Sequence, residues 1–448
     1  MIIPTLPTEA APRLQALAPA FTQPTWHRFT LLLTAAILTT GRRTVANLLR
    51  TVGPLAVGHR TSYQRVLSAA SWSGLHLACL LTGFILRHLV PAGPVLLVGD
   101  DTVESHPGRK VYGKARHRDP VRSSHSYTAW CYGHKWVVLA VLVRFPFATR
   151  PWALPVLIDL YRSEEEDGRR RRPHRTPAQL MCRLLRVLLL RCPERTFVFV
   201  GDSHYGTHAV ARFVGRHRAR LTLVSKLHPE ANLFTAPPPY RGKGRPRVKG
   251  HRLPKPCEAV AQRRRFWRLT VGWYGGGTRQ VQVASATGNW YKSGRGLVPL
   301  RWVFVRDRSG SHRDEYFFTT DLALTPAALI GYYTGRWNIE TTFQELRSHM
   351  GLETTCGWCP NTVLRAAPCL LGLYAVVAVL FAALPEAKRA GGIAWPGKEG
   401  VTFSDALAAV RRWLWSEWVF AQAGGGAAVE KLPEPLQEII LSALAPAA

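Results

Sequence analysis

The central part of the chain alternates short apolar runs with longer amphipathic segments, and this alternation restricts the fold more than any other feature. VLLVGDD (95–101) and WVVLAVLVRFPF (136–147) have the length and composition of buried β-strands. TFVFVGDSHYG (196–206) is a further strand, whereas QLMCRLLRVLLLRC (179–192) has the spacing of a helix. Strands that alternate with helices form α/β architecture. The sequence therefore predicts an α/β core.

The charge of the chain is strongly one-sided. Its 448 residues include 59 Lys and Arg against 28 Asp and Glu, which gives a formal net charge of +31. Such an excess suits a polyanionic partner, although a basic composition without any ligand gives the same sum. Clustering of the basic residues favours a partner. The clusters lie at 110–118 (including Lys110 and Lys114), 169–172, 241–252 and 263–265.

Changes of pattern divide the chain into regions. Residues 1–92 hold apolar stretches of helical character with basic edges, which predicts a helical domain that we expect to bind DNA. Residues 93–385 hold the core, which is interrupted at about 228–300 by a Pro- and Arg-rich segment followed by alternating residues. We interpret this interruption as a β-rich insertion. Residues 386–448 predict a Pro- and Gly-rich linker (391–400) followed by a helical tail.

Two segments of the core give more local expectations. The hydrophilic stretch 162–177 predicts a surface loop. Thr325 is a good N-cap and Pro326 suits the first helical position, so a helix begins there. We expect Gly331 to break or kink that helix.

Cysteines and apolar runs bear on compartment and membrane. Eight cysteines show no regular framework, which predicts reduced thiols in a cytosolic protein. Cys356 and Cys359 form a CxxC without the second pair that a zinc site needs. The start of the chain lacks the basic region of a signal peptide. The uncharged run 369–384 is shorter than the roughly 20 residues of a membrane span, so we expect a buried helix and no membrane partner.

Three acids stand where a sheet would bring them together. Asp101 and Asp202 follow apolar strands, and Glu340 lies in a helical segment. Carboxylates at strand ends point into the crevice of an open α/β sheet, and two divalent ions held by such groups catalyse phosphoryl transfer. Acids at strand ends also serve as helix caps and turn residues. Because successive strand residues face opposite ways, only one of Asp100 and Asp101 can point at the site.

The helix around Glu340 carries a more specific pattern. Tyr333, Arg336, Glu340 and Arg347 fall within roughly 60° of arc on one helical face. A guanidinium on that face can hold a phosphate by paired, charge-assisted bonds. The simpler alternative is a surface helix with one i,i+4 Arg–Glu pair, which contributes only a few tenths of a kcal/mol.

These residues resemble the DDE transposases of bacterial insertion sequences, in the branch marked by a Y-x2-R-x3-E-x6-K signature. YTGRWNIETTFQELR matches it with Tyr333, Arg336 and Glu340, and Arg347 replaces the final Lys. Asp101 before Thr102 matches the first acid of the family, and Asp202 in VFVGDSHYG matches the second. The resemblance extends over roughly residues 95–385.

The resemblance implies the fold and the reaction. It implies an RNase H-like mixed-sheet core, with Asp101, Asp202 and Glu340 as ligands of two Mg²⁺ ions for which Mn²⁺ substitutes. Such an enzyme cleaves the ends of its element and joins them to target DNA. The resemblance also implies phosphate contacts for Tyr333, Arg336 and Arg347. Trp302 takes the position of a tryptophan that stacks on a flipped base, with a buried core residue as the equal alternative, and Lys226 is a further phosphate-binding candidate.

The resemblance also implies partners, and it leaves other functions open. Double-stranded DNA at element ends and at the target is the expected partner, with the chain as a homodimer in a synaptic complex. The expected location is the bacterial cytoplasm, in association with the nucleoid. A metal-dependent nuclease that performs no strand transfer is one alternative. A catalytically idle DNA-binding protein derived from a transposase is the other.

Overall fold

A computed structural model of the chain describes residues 10–119, 122–240, 242, 244–389, 392, 396–421 and 426–446. A large mixed sheet runs through it, with strands in the order β2-β3-β1-β5-β6-β11-β10-β9-β7. The strands of its first half are β1 (Val95–Ser105), β2 (Ala115–Arg118), β3 (Trp130–Val143), β4 (Trp152–Tyr161), β5 (Phe197–Gly201) and β6 (Leu221–Lys226). Those of its second half are β7 (Leu233–Phe234), β8 (Trp267–Gly272), β9 (Thr278–Lys292), β10 (Gly296–Asp307) and β11 (Glu315–Thr319).

The first half of the sheet contains three antiparallel and two parallel strand pairings. β1, β2 and β4 all pair antiparallel with β3, and β5 and β6 continue parallel to β1. The apolar residues of β1, β3 and β5 are mostly buried, apart from the first residues of β3, because helices cover the sheet. This is the RNase H-like mixed arrangement, and the predicted α/β fold class is confirmed.

The predicted β-rich insertion extends the same sheet. β11 returns antiparallel to β6, and β10, β9 and β8 follow it as antiparallel neighbours. Residues 235–250, where the Pro- and Arg-rich segment lies, form no helix or strand in their described part. The insertion therefore lengthens the core sheet.

The helices lie at the two ends of the chain and between the strands. Those before the sheet are α1 (Ala11–Gln15), α2 (Gln23–Leu38), α3 (Val45–Val52), α4 (Arg60–Ser68) and α5 (Gly74–Leu89). Those between strands are α6 (Glu164–Arg169), α7 (Pro177–Arg191), α8 (His208–Arg216) and α9 (Pro256–Ala261). Those after it are α10 (Pro326–Gly335), α11 (Asn338–Met350), α12 (Pro360–Ala383), α13 (Phe403–Leu414), α14 (Gly426–Glu430) and α15 (Glu434–Leu444).

Two local expectations were wrong. The stretch 162–177 contains α6, which begins where the Ser163 hydroxyl accepts from the Glu166 N–H and which has acidic residues in its first turn. The helix from Pro326 passes through Gly331 without a break and ends at Gly335. Thr325 caps it as expected, with its hydroxyl accepting from the Ala328 N–H.

The apolar run 369–384 lies in a longer helix than expected, because α12 begins at Pro360. Among the described helices it has the length and composition to cross a membrane, yet 67% of its most apolar window is buried inside the protein. It packs against β4, α4, α5, α11 and α13. Burial on these sides favours the interpretation as a core helix. The predicted linker 391–400 falls mostly outside the described residues.

Candidate functional site

The two neighbouring aspartates of β1 point to different partners. Asp100 lies opposite Val138 and Asp101 opposite Val137, in the middle of the β1–β3 ladder. β1 continues to Ser105, so the expectation that Asp101 ends the strand was wrong. Because side chains alternate across a strand, the two carboxylates leave the sheet on opposite faces.

Asp100 is the aspartate that meets the helix carrying Glu340. Nη1 of Arg336 donates to Oδ2 of Asp100 at 2.7 Å, and Nη2 donates to Oε1 of Glu340 at 2.8 Å. Arg336 is only 7% exposed, so this ion pair is shielded from solvent. Nε of Arg336 is buried without a hydrogen-bond partner in the described part of the chain. One guanidinium thus joins two acids that are distant in sequence, and its third nitrogen makes no hydrogen bond to the described residues.

Asp101 is paired on the other face. Its Oδ2 lies 2.6 Å from Nζ of Lys135, and this ammonium lies 5.9 Å from the centre of the Tyr161 ring. Both partners of the Asp101–Lys135 pair are about one-quarter exposed. The structure therefore joins Glu340 to Asp100 through Arg336 and pairs Asp101 with Lys135. The charge of Asp101 still acts on Asp100 and on His204 and Tyr205, which bond Asp202.

Asp202 follows β5 directly, as predicted. Its Oδ1 accepts from the N–H groups of His204 and Tyr205, and Nδ1 of His204 lies 2.8 Å from Oδ2. Burial opposes ionisation of Asp202, but the bonds from His204 and the charge of Arg336 outweigh it and lower the pKa of this carboxyl. Asp202 is thus an ionised acid within the field of Arg336.

Burial and neighbouring charge act most strongly on Asp100. The pKa of Asp100 is raised to about 7, because burial together with the negative charges of Asp202 and Asp101 outweighs the opposing charge of Arg336. A carboxyl that is destabilised by like charges and by desolvation favours a nearby cation. Arg336 is the cation that the folded chain itself supplies.

The signature residues span two helices rather than one. α10 ends at Gly335 and α11 begins at Asn338, with Arg336 and Trp337 between them in helical backbone conformation. Tyr333 is 2% exposed and stacks on Phe317 with ring centres 4.3 Å apart. Arg336 lies 5.8 Å from the centre of the Tyr333 ring. Tyr333 therefore supports Arg336 from the core side.

Arg347 and Lys226 are both engaged in ion pairs. Arg347 donates to the Thr102 hydroxyl and lies 3.2 Å from Oε1 of Glu353. Nζ of Lys226 lies 2.6 Å from Oε1 of Glu315, beside the Tyr333 ring. Both side chains are about one-third exposed, so each can still reach a ligand.

Trp302 is a core residue. It is 3% exposed on β10, opposite Phe318 of β11 and Ala286 of β9. Of its two interpretations, burial supports the structural one. Exposed aromatic surface lies instead at Trp337, which is 48% exposed, directly follows Arg336 and packs edge-on against Tyr274 at 6.1 Å. The position of Trp337 within the signature could have indicated it.

The other predicted DNA contacts, Lys110 and Lys114, lie between β1 and β2. Lys110 is exposed, and Nζ of Lys114 donates to the Gly108 carbonyl at 2.7 Å. Arg241 and Lys243 of the basic stretch 241–252 lie outside the described residues. Sequence reasoning also missed Arg150, whose Nη2 lies 2.7 Å from Oε1 of Glu345 on the buried side of α11.

Comparisons with known proteins bear on the identity of this arrangement. A search of curated proteins gives no match. A solved structure of piggyBac transposase, in a synaptic complex with hairpin DNA, is similar with a TM-score of 0.42 and 10% identity, over 95% of this chain and 77% of that one. The model of a family described as DDE superfamily endonuclease matches residues 16–280. Because this match extends over more than half of the sequence, the chain belongs to the DDE superfamily of endonucleases.

Proposed function

We propose that the chain is a DNA transposase that cleaves the ends of its own mobile element and joins them to target DNA. The observation that carries this proposal is the convergence of Asp100, Asp202 and Glu340 around Arg336. Membership of an endonuclease superfamily supports the cleavage step. The signature at Tyr333–Arg347 supports the insertion-sequence branch with the Y-R-E-K pattern, and hence a bacterial element.

We propose Asp100, Asp202 and Glu340 as the metal-binding acids, with Asp100 in the place that the sequence suggested for Asp101. Their carboxylate oxygens are the hard donors that Mg²⁺ prefers, and Mn²⁺ accepts the same set. Within the described residues no three His, Cys, Asp or Glu side chains are arranged to hold one ion. The carboxylate oxygens of these acids are suitable ligands for a divalent ion. The positive guanidinium of Arg336 lies between Asp100 and Glu340, where we propose that such an ion binds. Two ions held by these acids would supply activation of the attacking oxygen and stabilisation of the leaving one.

Basic side chains around the acids orient the DNA backbone in this proposal. Arg336 is buried, and its Nε has no hydrogen-bond partner among the described residues, whereas Lys226 and Arg347 are partly exposed. Lys226 and Arg347 can each transfer a hydrogen bond from a carboxylate to a phosphate oxygen, which has similar charge and geometry. Tyr333 acts as a positioning residue, since it holds the guanidinium of Arg336 and is buried from solvent.

Trp337 takes the base-stacking role that the sequence assigned to Trp302. It is exposed beside the acids, whereas Trp302 is enclosed in the sheet. A base that leaves the duplex at the cleavage point finds an aromatic face there. The direct test is Trp337→Ala, which we expect to weaken cleavage of a duplex end more than that of an end with an unpaired base.

The remaining parts of the proposal concern assembly and location. We propose residues 1–92 as a DNA-binding domain, 93–385 as the catalytic domain and 386–448 as a helical C-terminal region. Two DNA ends have to be joined, so a homodimer on double-stranded DNA is proposed for the synaptic complex. A protein of net charge +31 suits the nucleoid of the bacterial cytoplasm.

The experiment uses DNA that contains the flanks of the reading frame, purified full-length protein, and Mg²⁺ or Mn²⁺. We expect strand breaks at the element ends and joined products with a pre-cleaved end. Asp202→Ala and Glu340→Gln should remove both activities and leave DNA binding intact. Cleavage without joining would favour the nuclease alternative. Tight binding without cleavage would favour an idle DNA-binding protein, and unchanged cleavage by both variants would refute the site.

A further inference from the structure

Two rings and two guanidiniums lie side by side on the outer end of β3. Trp130 and Tyr132 of β3 pair with Arg118 and Arg116 of β2, and cross-strand partners project from the same face. Trp130 is 50% exposed and Tyr132 is 58% exposed, and both arginines are exposed. We call these four residues the hairpin platform.

The hairpin platform is open outside and supported beneath. β1 pairs with β3 only as far as Gly133, so the platform projects beyond the end of β1. On its other face the buried His117 packs with its ring centre 6.1 Å from that of Tyr161. The loop between its strands is closed by a bond from the Asp119 N–H to the Ala129 carbonyl at 2.9 Å. The platform is therefore held in shape without a ligand.

Exposure of this kind points to a ligand with flat faces and negative charge. Two large aromatic side chains exposed side by side mark a candidate binding surface. The guanidinium of Arg116 lies 4.1 Å from the centre of the Trp130 ring, so planar cation and ring already form one stacked surface. Nucleic-acid bases stack on such surfaces, and the arginines neutralise adjacent phosphates.

Its position relates the platform to the acids. Asp100 lies opposite Val138 on β3, and Tyr132 lies an even number of positions before Val138 in the same strand. The two side chains therefore project from the same face of the sheet. At about 3.4 Å per residue, the spacing is about 20 Å, which corresponds to roughly six nucleotides of a DNA strand. His134 and Trp136, which lie between them on that face, are buried, so a strand held at Asp100 would run over the residues that cover them and reach the platform after at least roughly six nucleotides.

We propose that the hairpin platform binds unpaired bases of a DNA strand by stacking, at least roughly six nucleotides from the scissile phosphate. Duplex DNA keeps its bases stacked on one another, so it offers the rings nothing comparable. The proposal rests on the proposed function, since it assumes that the chain handles DNA. It adds a single-strand subsite that is separate from the acids.

The test compares matched pairs of double variants by fluorescence anisotropy in EDTA. The probes are a labelled oligo(dT) of about 20 nucleotides and a duplex of equal length. Trp130→Leu with Tyr132→Leu should weaken oligo(dT) binding about tenfold or more, with little change for the duplex. Trp130→Phe with Tyr132→Phe should bind oligo(dT) nearly as the parent protein does. Circular dichroism and thermal unfolding check that each variant is folded.

Salt dependence separates stacking from charge. The leucine variant should keep the parent slope of binding against salt concentration, because no phosphate contact is lost. Arg116→Gln with Arg118→Gln should reduce that slope. Unchanged oligo(dT) binding by the leucine variant, or equal losses for oligo(dT) and duplex, would overturn the proposal. A change in sedimentation of the leucine variant without DNA would also overturn it, because the surface would then be a protein interface.

Failure of this proposal can be distinguished from failure of the proposed function. Binding is measured without metal, so it does not depend on cleavage. Cleavage of element ends by a protein whose leucine variant binds oligo(dT) normally would leave the function standing and remove the platform. Selective loss of oligo(dT) binding in the leucine variant of a protein that never cleaves DNA would support the platform and refute the proposed function.

Discussion

Arg336 is the side chain on which the candidate site depends at the scale of single residues. It bonds to Asp100 and Glu340 and lowers the pKa of Asp202. Without it, the buried Asp100 would lie within the fields of Asp202 and Asp101 and lack its guanidinium partner, which is costly. In the proposed function, a divalent ion would take over part of this role.

Replacing Arg336 tests this balance through stability. Arg336→Gln should lower the free energy of unfolding by about 3 kcal/mol in metal-free buffer, since a buried ion pair loses one partner. Added Mn²⁺ should then stabilise the variant more than the parent protein, because binding to the folded state alone raises stability. Urea unfolding with and without Mn²⁺ measures both effects.

An exposed pair provides the control for Arg336. Arg306 lies 2.7 Å from Asp314, and both are more than 40% exposed. Arg306→Gln should change stability by less than about 1 kcal/mol and should not alter the response to Mn²⁺. If Mn²⁺ stabilises Arg336→Gln no more than the parent protein, the acids do not form a cation site.

Single residues also show where sequence reasoning reached its limit. Asp202 and Glu340 could be selected because one follows an apolar strand and the other lies in a specific pattern. The sequence could not show which of Asp100 and Asp101 faces the helix with Glu340. Both fit the same strand, and only the pairing register of that strand decides which way each side chain points. Trp302 is equally ambiguous in sequence, because strand tryptophans stack on ligands or fill cores. Its burial depends on β9 and β11, which are remote in sequence.

At the scale of elements, α11 is fixed from behind by a buried polar network. Glu345 accepts from Nη2 of Arg150 and from the Tyr374 hydroxyl of α12, both within 2.8 Å. Burial raises the pKa of Glu345, although Arg150 opposes this. The network fixes the rotation of α11 and hence the direction of Glu340.

Removal of Glu345 should therefore affect both folding and the site. Glu345→Ala should cost about 2–3 kcal/mol, because it removes both hydrogen bonds and takes the ion-pair partner from the partly buried Arg150. Tyr374→Phe should cost about 1 kcal/mol, the ordinary value of one hydrogen bond. Denaturant unfolding measures both, and equal costs for the two variants would contradict the network.

The elements themselves were predicted with uneven success. Strands β1, β3 and β5 and helix α7 follow from apolar runs of the right length. The break between α10 and α11 was expected at Gly331 and lies at Arg336 and Trp337 instead. Gly331 is tolerated inside a helix whose neighbours are buried, since packing outweighs its intrinsic cost.

At the scale of the whole molecule, the continuous sheet could not be read from the sequence. The sequence predicted a β-rich insertion within the core but not its pairing, and the structure shows that the core sheet continues into it through β11 and β10. Pairing between β6 and β11 joins residues about 90 positions apart, and no local pattern encodes it. The fold class could be predicted from the sequence, because it depends only on the alternation of strands and helices.

Buried histidines make the whole fold sensitive to acid. His134 is 2% exposed, and burial lowers its pKa to about 4 although its bond with the Tyr112 carbonyl raises it. Between about pH 6.5 and pH 4 the unfolded chain binds a proton that the folded chain does not. The folded state therefore loses stability as the pH decreases through this range. The loss from His134 should be about 2 kcal/mol between pH 7 and pH 5.

His134→Gln tests this dependence against the parent protein. The variant lacks the titrating ring, so its stability should fall less between pH 7 and pH 5 than that of the parent. Urea unfolding at the two pH values measures the difference. Parallel losses in both proteins would show that His134 does not contribute.

The measurement that tests the central claim most directly is single-turnover cleavage of a defined element end by two neighbouring variants. Asp100→Asn and Asp101→Asn alter adjacent residues of β1 in the same way, so each is the control for the other. If Asp100 is the first metal-binding acid, Asp100→Asn should slow cleavage about a thousandfold, whereas Asp101→Asn should slow it less than about tenfold. The reverse order of effects would contradict the assignment and return the role to Asp101.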